Sequence, residues 1–166
     1  MQPEIPARAN RKLEDEFPEV DSLASDVVIN VWRTSALLSE DLVRVLRPYS
    51  LTLTGFRVLM MLRAAGGTLS PAEIAARLGS ARATVTGVLD SLEKRRAVLR
   101  LPHPDDRRRL HVSITDTGRG LLDELLPTYF TQEREAVAAL DPERQELLIG
   151  LLGDLQRELY ARLSDD

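Results

Sequence analysis

Apolar and polar positions divide the chain into helical segments and one stretch with an alternating pattern. The first segment begins at Asp21 or Ser22 and ends at Pro48, and its apolar residues recur at helical spacing. A helix of about 25 residues is longer than a small domain needs to cover its own core. We therefore expect part of this helix to face a partner.

Two shorter helices are predicted next. Thr54 is expected to cap the first of them, and a pair of glycines at 66–67 ends it. The second begins with a capping box, in which Ser70 is the cap, a proline follows, and Glu73 stands three residues after the cap. It ends at Gly79, and only one more residue separates it from a further helix. This spacing predicts a tight turn of the helix-turn-helix kind.

The helix after Gly79, which Ser80 is expected to cap, has two different faces. The face predicted to be buried carries Ala81, Val85, Val88, Leu89 and Leu92. The opposite face carries Arg82, Ala83, Thr86, Gly87 and Asp90, with Thr84 on its flank. Small and hydroxyl-bearing side chains near a helix N-terminus suit close approach to base edges and phosphates.

Beyond Val98 the pattern changes from helical to alternating. Leu110, Val112 and Ile114 point to one side, which predicts a half-buried strand. Residues 99–101 supply a partner strand, and residues 102–109 form an arginine-rich tip. The predicted fold is mainly α with a small β-hairpin wing, an α+β winged helix-turn-helix.

Two further helices are predicted at the C-terminal end. Thr115 caps the first, and Pro127 is expected to bend or break it. Asp141 and a following proline start the last helix. Its leucines, from Leu148 to Leu163, form a stripe that is too continuous for a free surface.

Charge is distributed unevenly along the chain. Residues 77–119 contain ten Arg and Lys against five Asp and Glu, a local charge of +5, whereas the whole chain carries −4. A basic block on an acidic body is expected where one surface meets phosphate. The alternative is that these arginines form only a solvated face.

Composition excludes several classes of protein. The chain has no cysteine, which excludes disulfides, thiolate zinc sites and thiol-based sensing. No apolar run approaches the roughly 20 residues that span a bilayer, and the N-terminus lacks the apolar core of a secretory signal, so we expect a cytoplasmic protein. His103 and His111 lack further obvious ligands, so no metal or other cofactor is predicted. The chain has no cysteine, no glycine-rich phosphate-binding loop and no histidine outside the wing, so no enzymatic activity is predicted.

Over about residues 20–163 the chain resembles the MarR family of bacterial transcription regulators. The resemblance rests on the helix pair, the stretch TVTGVLDSLEKRRAV, the wing DDRRRLHVSIT and the Thr-x-x-Gly start at 115–118. It implies a homodimer on a pseudo-palindromic double-stranded DNA operator. It also implies dimerisation helices (20–50 and 116–166) and a winged helix-turn-helix domain (51–115). The prolines, scattered charges and few apolar residues of the N-terminal segment (1–19) predict a mobile arm or a loosely docked extension.

The resemblance also implies DNA-binding residues. In the family, an aspartate of the wing orients an arginine whose side chain enters the minor groove. These positions fall on Asp106 and Arg108 here. The alternative is that Arg108 only pairs with a neighbouring aspartate on the surface. Arg107 and Arg109 are expected at phosphates or in solvent. The recognition helix contributes Ser80, Arg82, Ala83, Thr84, Thr86 and Gly87, of which Arg82 contacts a guanine or a phosphate.

One position departs from the family pattern, because Arg96 stands where glycine usually ends the recognition helix. An arginine with positive φ costs about 1 kcal/mol relative to glycine. Either the turn is reshaped, or a contact with a nearby phosphate offsets the backbone strain of Arg96. We therefore include Arg96 among the DNA-binding residues.

Family members commonly act as repressors that a small phenolic or aromatic carboxylate releases. An aromatic wall with arginines suits such an organic anion. The candidates are Trp32, Arg33, Phe56, Arg57, Met60 and Arg63. The alternative is that the aromatic residues and Met60, which have helical spacing, are plain core residues and that the arginines are surface residues. A different class of function also stays open: a winged helix that binds an acidic protein partner.

Overall fold

The computed structural model describes residues 4–8, 16–102 and 110–164. Its helices are α1 (Ser22–Leu46), α2 (Leu53–Ala64), α3 (Pro71–Leu78), α4 (Arg82–Lys94), α5 (Asp116–Ala136) and α6 (Pro142–Ser164). A short 3-10 helix (Arg47–Tyr49) follows α1, and the strands are β1 (Thr68–Leu69), β2 (Val98–Pro102) and β3 (Leu110–Ile114). The chain divides into two compact units at the boundary between residues 126 and 127.

The start of α1 agrees with the prediction, whereas the cap of α2 does not. Asp21 caps α1, and its Oδ1 accepts a hydrogen bond from the Ala24 amide at 2.9 Å. The prediction that Thr54 caps α2 is wrong. Thr52 has the extended backbone of a cap, and its Oγ1 accepts from the Gly55 amide at 3.0 Å, so the helix begins two residues earlier.

The capping box of α3 is confirmed. The Glu73 amide donates to Ser70 Oγ at 3.2 Å, and the Ser70 amide donates to Glu73 Oε2 at 2.8 Å. Gly79 then ends α3 with a φ of 60°. The prediction that Ser80 caps α4 is wrong, because the cap is Ala81 and the Ser80 hydroxyl donates instead to the Leu78 carbonyl at 3.4 Å.

The strands form an antiparallel sheet in the order β1-β3-β2. The predicted hairpin is confirmed as β2 and β3, which pair from Val98 opposite Ile114 to Pro102 opposite Leu110. The two-residue strand β1 was not predicted, and its Leu69 pairs with Val112. Leu110, which was expected on the buried side, is exposed at the end of its strand.

The first unit, up to Leu126, has a hydrophobic core that joins the helices to the sheet. Helix α4 contributes Val85, Leu89 and Leu92, all of which are buried. Val88 is only partly buried and Ala81 is exposed, so the buried face of α4 is narrower than predicted. The other fully buried large side chains are Leu46, Val58, Leu59, Leu62, Ile74, Val98, Val112, Leu122 and Leu125.

Pro127 does not break α5, which contradicts one of the two predicted outcomes. Thr115 caps this helix as expected, with its Oγ1 accepting from the Gly118 amide at 3.1 Å. The helix then continues to Ala136. A proline removes one intrahelical donor, and the remaining hydrogen bonds on both sides carry the helix past it. The Thr131 hydroxyl donates to the Pro127 carbonyl at 3.0 Å.

Helix α6 belongs to the second unit, from Pro127 onward. It begins as predicted, because Asp141 Oδ1 accepts from the Arg144 amide at 2.9 Å. No residue of α6 is buried, and Leu148, Leu151 and Leu163 are exposed. Within the described ranges, no helix has both the length and the apolarity to cross a membrane.

Residues 4–8 of the predicted N-terminal arm lie against α1. The side-chain amide of Asn30 donates to the Ala7 carbonyl and accepts from the Ala7 amide, each at 2.9 Å. Arg8 forms an ion pair of 2.8 Å with Asp26, a buried residue of α1. The hydrogen bond to Asp26 raises the pKa of Arg8 above its ordinary value. These contacts dock the segment along one side of α1.

Candidate nucleic-acid interface

Helix α4 presents an exposed face opposite its buried one. The predicted residues Arg82, Ala83, Thr84, Thr86 and Gly87 are all exposed, and Ser80 is half-buried in the preceding turn. Nothing lies within 4 Å of the position that a Cβ would occupy at Gly87. No side chain projects from the centre of this face, and another backbone can therefore approach it closely.

The N-terminus of α4 has no side-chain cap. Its cap residue, Ala81, has no side-chain acceptor, and the first intrahelical bond is donated by the Val85 amide to the Ala81 carbonyl at 3.3 Å. The amides of the first turn of a helix point outward and favour an anion. Thr86 donates its hydroxyl hydrogen to the Arg82 carbonyl at 3.0 Å, which leaves its oxygen lone pairs as acceptors. This end of α4 has the properties of a phosphate-binding helix end.

The turn after α4 keeps its left-handed geometry although it contains Arg96. The φ of Arg96 is 58°, its amide donates to the Glu93 carbonyl at 2.8 Å, and the Ala97 amide donates to the Leu92 carbonyl at 2.9 Å. These two bonds are those of a Schellman motif. The turn is therefore not reshaped to suit arginine, and the exposed Arg96 retains its unfavourable φ.

Arg100, on β2, is bound to α4 at several points. Its Nη2 lies 2.6 Å from Asp90 Oδ1 and donates to the Thr86 carbonyl at 3.2 Å. Its Nη1 lies 3.0 Å from Glu93 Oε2, and its backbone amide donates to Glu93 Oε1 at 3.2 Å. We call these four residues, Thr86, Asp90, Glu93 and Arg100, the Arg100 cluster. From the sequence, Arg100 was predicted only as one charge of the basic block at 77–119, and this cluster was not predicted.

Arg95 is also engaged within the protein. Its guanidinium donates to the carbonyl of Tyr49 at 2.6 Å and to that of Ser50 at 2.7 Å. These carbonyls follow α1, so Arg95 ties the end of α4 to the end of the first helix. The basic block therefore contains two arginines that hold the fold together, beside the exposed Arg82 and Arg96.

Comparisons with known proteins agree with this architecture. The MarR family profile matches residues 51–110, which run from two residues before α2 to the first residue of β3. The HTH-type transcriptional regulator YwaE of Bacillus subtilis is 32% identical over 139 residues, which cover 83% of this chain and 81% of that protein. The chain belongs to the MarR family.

Two other relatives of this MarR-family protein carry more specific descriptions. The transcriptional repressor YetL of Bacillus subtilis is 34% identical over 110 residues, which cover 66% of this chain and 64% of YetL, slightly less than two thirds of its length. A structure of BpsR from Bordetella bronchiseptica, described as showing how 6-hydroxynicotinic acid regulates its DNA binding, has a TM-score of 0.70. It is 25% identical and covers 78% of this chain and 98% of BpsR. The MarR-family chain is thus a DNA-binding transcriptional regulator and not an enzyme.

The wing residues that the MarR family implies cannot be placed. Asp106, Arg107, Arg108 and Arg109 lie outside the described residues, as does His103. His111 is half-buried on β3. Across residues 4–8, 16–102 and 110–164, His, Asp and Glu side chains form no cluster of three that could hold a metal ion.

The candidate ligand residues of this MarR-family protein lie in different environments. Phe56 is 3% exposed and belongs to the core, which agrees with the alternative that the aromatic candidates are core residues. Trp32 on α1, in contrast, is 70% exposed. Arg33 donates to the Glu4 carbonyl at 3.3 Å, and Arg63 forms an ion pair of 2.6 Å with Asp123 on α5. Arg57 is exposed and Met60 is half-buried on α2. Trp32 and Phe56 therefore do not form a common exposed wall.

Proposed function

We propose that this MarR-family protein is a homodimeric repressor that inserts α4 into the major groove of a specific double-stranded DNA operator. The observation that carries the proposal is the division of α4 into a buried face and an exposed face of small and polar residues. Val85, Leu89 and Leu92 fix the helix to the core. The opposite face is free of bulky apolar groups, which suits entry into a groove about 12 Å wide.

Each exposed position of α4 has a physical role in this proposal. Arg82 contacts a guanine edge or a phosphate, and the uncapped first turn binds a phosphate through its amides. Ala83 and Gly87 permit close approach, while Ser80, Thr84 and Thr86 supply hydroxyl groups. Arg96 binds a phosphate beside the groove, which offsets its backbone strain.

The wing completes the proposed interface. Arg108 enters the adjacent minor groove, where the negative potential favours a guanidinium, and Asp106 orients it. Arg107 and Arg109 contact neighbouring phosphates. The support for these roles is the match of the sequence DDRRR at 105–109 to the family pattern.

The apolar residues that a single chain leaves exposed support a homodimer. On α1 these include Leu23, Val27 and Leu38, and on α6 they include Leu148 and Leu151. Exposed apolar residues in such numbers along a helix indicate an interface in soluble proteins. We infer that residues 20–50 and 116–166 join two copies, so that the operator is pseudo-palindromic with half-site centres about 10 bp apart.

Salt-dependent gel shifts with promoter fragments test the DNA-binding proposal. Operator affinity is expected to fall steeply with salt, and a variant that removes one phosphate contact lowers the slope by about 0.9. Arg108→Ala is expected to lose most operator affinity while still dimerising. Arg157→Gln, which removes one positive charge from α6, is the matched control and is expected to bind normally.

A protein-binding winged helix is the alternative from another class. It would use the same exposed basic residues for an acidic partner. Binding that is absent, or that has the same affinity for every DNA sequence, would favour this alternative. An unchanged operator affinity in Arg108→Ala would remove the wing from the mechanism.

We further propose that a small aromatic anion releases this repressor from DNA. The description of YetL as a repressor and of BpsR as regulated by 6-hydroxynicotinic acid supports this step. The candidate ligand residues remain Trp32, Arg33, Phe56, Arg57, Met60 and Arg63, of which Trp32 and Arg57 are exposed, whereas Phe56 is buried. Such a ligand acts only if it prefers a dimer geometry that does not fit the operator.

The single tryptophan provides the test for a ligand, because the chain contains only Trp32. Titration with 6-hydroxynicotinic acid is expected to quench the fluorescence of the exposed Trp32 and to release operator DNA at the same concentrations. Quenching without release would separate binding from regulation. Release with no change in Trp32 fluorescence would place the ligand elsewhere.

A further inference from the structure

We propose that Arg100 is a positioning residue for DNA binding, which fixes strand β2 of the wing to the recognition helix α4. This inference rests on the proposed function, because Arg100 would hold the wing and α4, the two elements that are proposed to contact DNA, at a fixed spacing. Arg100 itself is not proposed to touch DNA. Its side chain is 22% exposed and directed into the Arg100 cluster.

The Arg100 cluster spans a long part of α4. The guanidinium reaches the Thr86 carbonyl, Asp90 and Glu93, which extend over two turns of the helix. Attachment at points this far apart fixes both the position and the direction of β2 relative to the helix axis. A contact at only one point would leave the strand able to pivot.

The chemistry of the arginine side chain suits attachment at several points. The guanidinium of arginine is planar and holds its donors in a rigid fork, so it can serve the three acceptors of α4 in one orientation. The ammonium of lysine carries the same charge at one point on a flexible stem. Lysine would therefore keep the charge balance of the cluster and lose its geometry.

The Arg100 cluster borders the proposed DNA interface. Thr86 contributes its carbonyl to Arg100, while its hydroxyl lies on the exposed face of α4. Asp90 follows one turn later on the same face. Arg100 therefore lies where the groove face of α4 meets the strand that leads into the wing tip. Glu93 also binds the Arg100 backbone amide, which is on the open edge of the sheet.

Charge neutralisation alone is the competing explanation. Asp90 and Glu93 are acids beside a surface that is proposed to meet phosphate, and Arg100 offsets part of their charge. This explanation predicts that lysine replaces arginine without loss. The positioning role predicts that it does not.

The test compares Arg100→Lys, Arg100→Gln, Asp90→Asn and the Arg100→Gln/Asp90→Asn double variant of the full chain. Arg157→Gln is the control, since it also replaces an ion-paired arginine by glutamine, but at an exposed position of α6. Affinities for operator and for random DNA are measured by fluorescence anisotropy over a range of salt. Their ratio cancels general effects of net charge, and thermal denaturation monitors folding.

We expect Arg100→Lys and Arg100→Gln to lower the ratio of operator to random-DNA affinity by about tenfold, with an unchanged salt slope. The double variant is expected to lose less than the sum of its single changes, because both changes break the same contact. Full operator affinity in Arg100→Lys would overturn the positioning role and leave charge neutralisation as the explanation of the Arg100 cluster. A slope reduced by about 0.9 would make Arg100 a direct phosphate contact. Additive losses would contradict coupling through the cluster.

Amide hydrogen exchange provides a measurement that needs no DNA. Arg100→Lys is expected to speed exchange of the amides of residues 98–101 while the thermal midpoint stays close to that of the wild type. Unchanged exchange in these residues would overturn the positioning role. Failure of the wild type to discriminate operator from random DNA would instead contradict the proposed function and leave the exchange result as the test of Arg100.

Discussion

Gly118 packs against the carbonyl oxygen of Ala97 so closely that a Cβ at position 118 would overlap this oxygen. The same Cβ would lie 2.9 Å from Cγ1 of Ile114. The Ala97 carbonyl also accepts a hydrogen bond from the Thr115 amide at 3.1 Å. The first turn of α5 therefore lies directly on the chain between α4 and β2, and glycine permits this contact.

We expect Gly118→Ala to destabilise the protein. The neighbour is backbone, which cannot move aside as the end of a flexible side chain can, so the added methyl group must displace either α5 or the turn. Overpacking of this kind costs about 1–3 kcal/mol. The free energy of unfolding, measured by denaturant titration, is expected to fall by this amount.

Gly120→Ala is the matched control for this prediction. Gly120 lies in the same helix, and nothing is within 4 Å of its would-be Cβ. Alanine is favoured over glycine within a helix by about 0.8–1 kcal/mol. This variant is expected to be at least as stable as the wild type, and equal destabilisation by both substitutions would contradict the role of the Ala97 contact.

Arg96→Gly is expected to stabilise the fold and to weaken DNA binding. Glycine removes the strain of a φ of 58°, which is worth about 1 kcal/mol. It also removes a guanidinium that we propose binds phosphate, so the salt slope of operator binding is expected to fall by about 0.9. Denaturant titration and salt-dependent anisotropy measure the two effects separately.

Arg96→Ala separates charge from backbone strain. Alanine removes the guanidinium but keeps the penalty of a Cβ at positive φ, so DNA binding is expected to weaken with no gain in stability. Full operator affinity in both Arg96 variants would show that the strained arginine has no part in DNA contact.

The capping box of α3 could be predicted because all its signals lie within four residues. Ser70 and Glu73 satisfy each other's backbone amides, and nothing outside this segment is needed. The cap of α2 was missed because Thr52 and Thr54 are equivalent in sequence, and only the backbone conformation distinguishes them. Strand β1 was missed because two residues are too few to show alternation.

The Arg100 cluster, unlike the capping box, depends on contacts between elements and could not be predicted from local sequence. Asp90 and Glu93 are three residues apart, so they were bound to share one side of α4, and this was the available signal. Which of the nearby arginines reaches them depends on the register of β2. Likewise, the spacing of Phe56 and Trp32 fits both core and surface, and only packing shows that the first is buried and the second exposed.

Asn30→Ala is expected to release residues 4–8 from α1. The Asn30 side chain satisfies both backbone groups of Ala7, which is 4% exposed. Loss of both hydrogen bonds is expected to expose the Ala7 amide to rapid hydrogen exchange, while the protection of α4 stays unchanged.

Arg33→Gln is the comparison for the N-terminal segment. It removes only the 3.3 Å contact to the Glu4 carbonyl, so Ala7 is expected to keep most of its protection. Fast exchange of Ala7 in the wild type would contradict the docking of this segment.

Leu148→Glu is expected to dissociate the proposed dimer. Leu148 is 41% exposed in the single chain, and Leu152, Leu155 and Leu159 follow it on the same side of α6. Burying one leucine contributes about 1.5–3 kcal/mol, and a symmetric interface counts the change twice. The dimer Kd is therefore expected to rise at least about 100-fold in sedimentation equilibrium. Arg157→Gln changes the net charge equally on the opposite side of α6, and weakening by both variants alike would show that the leucine stripe is not the interface.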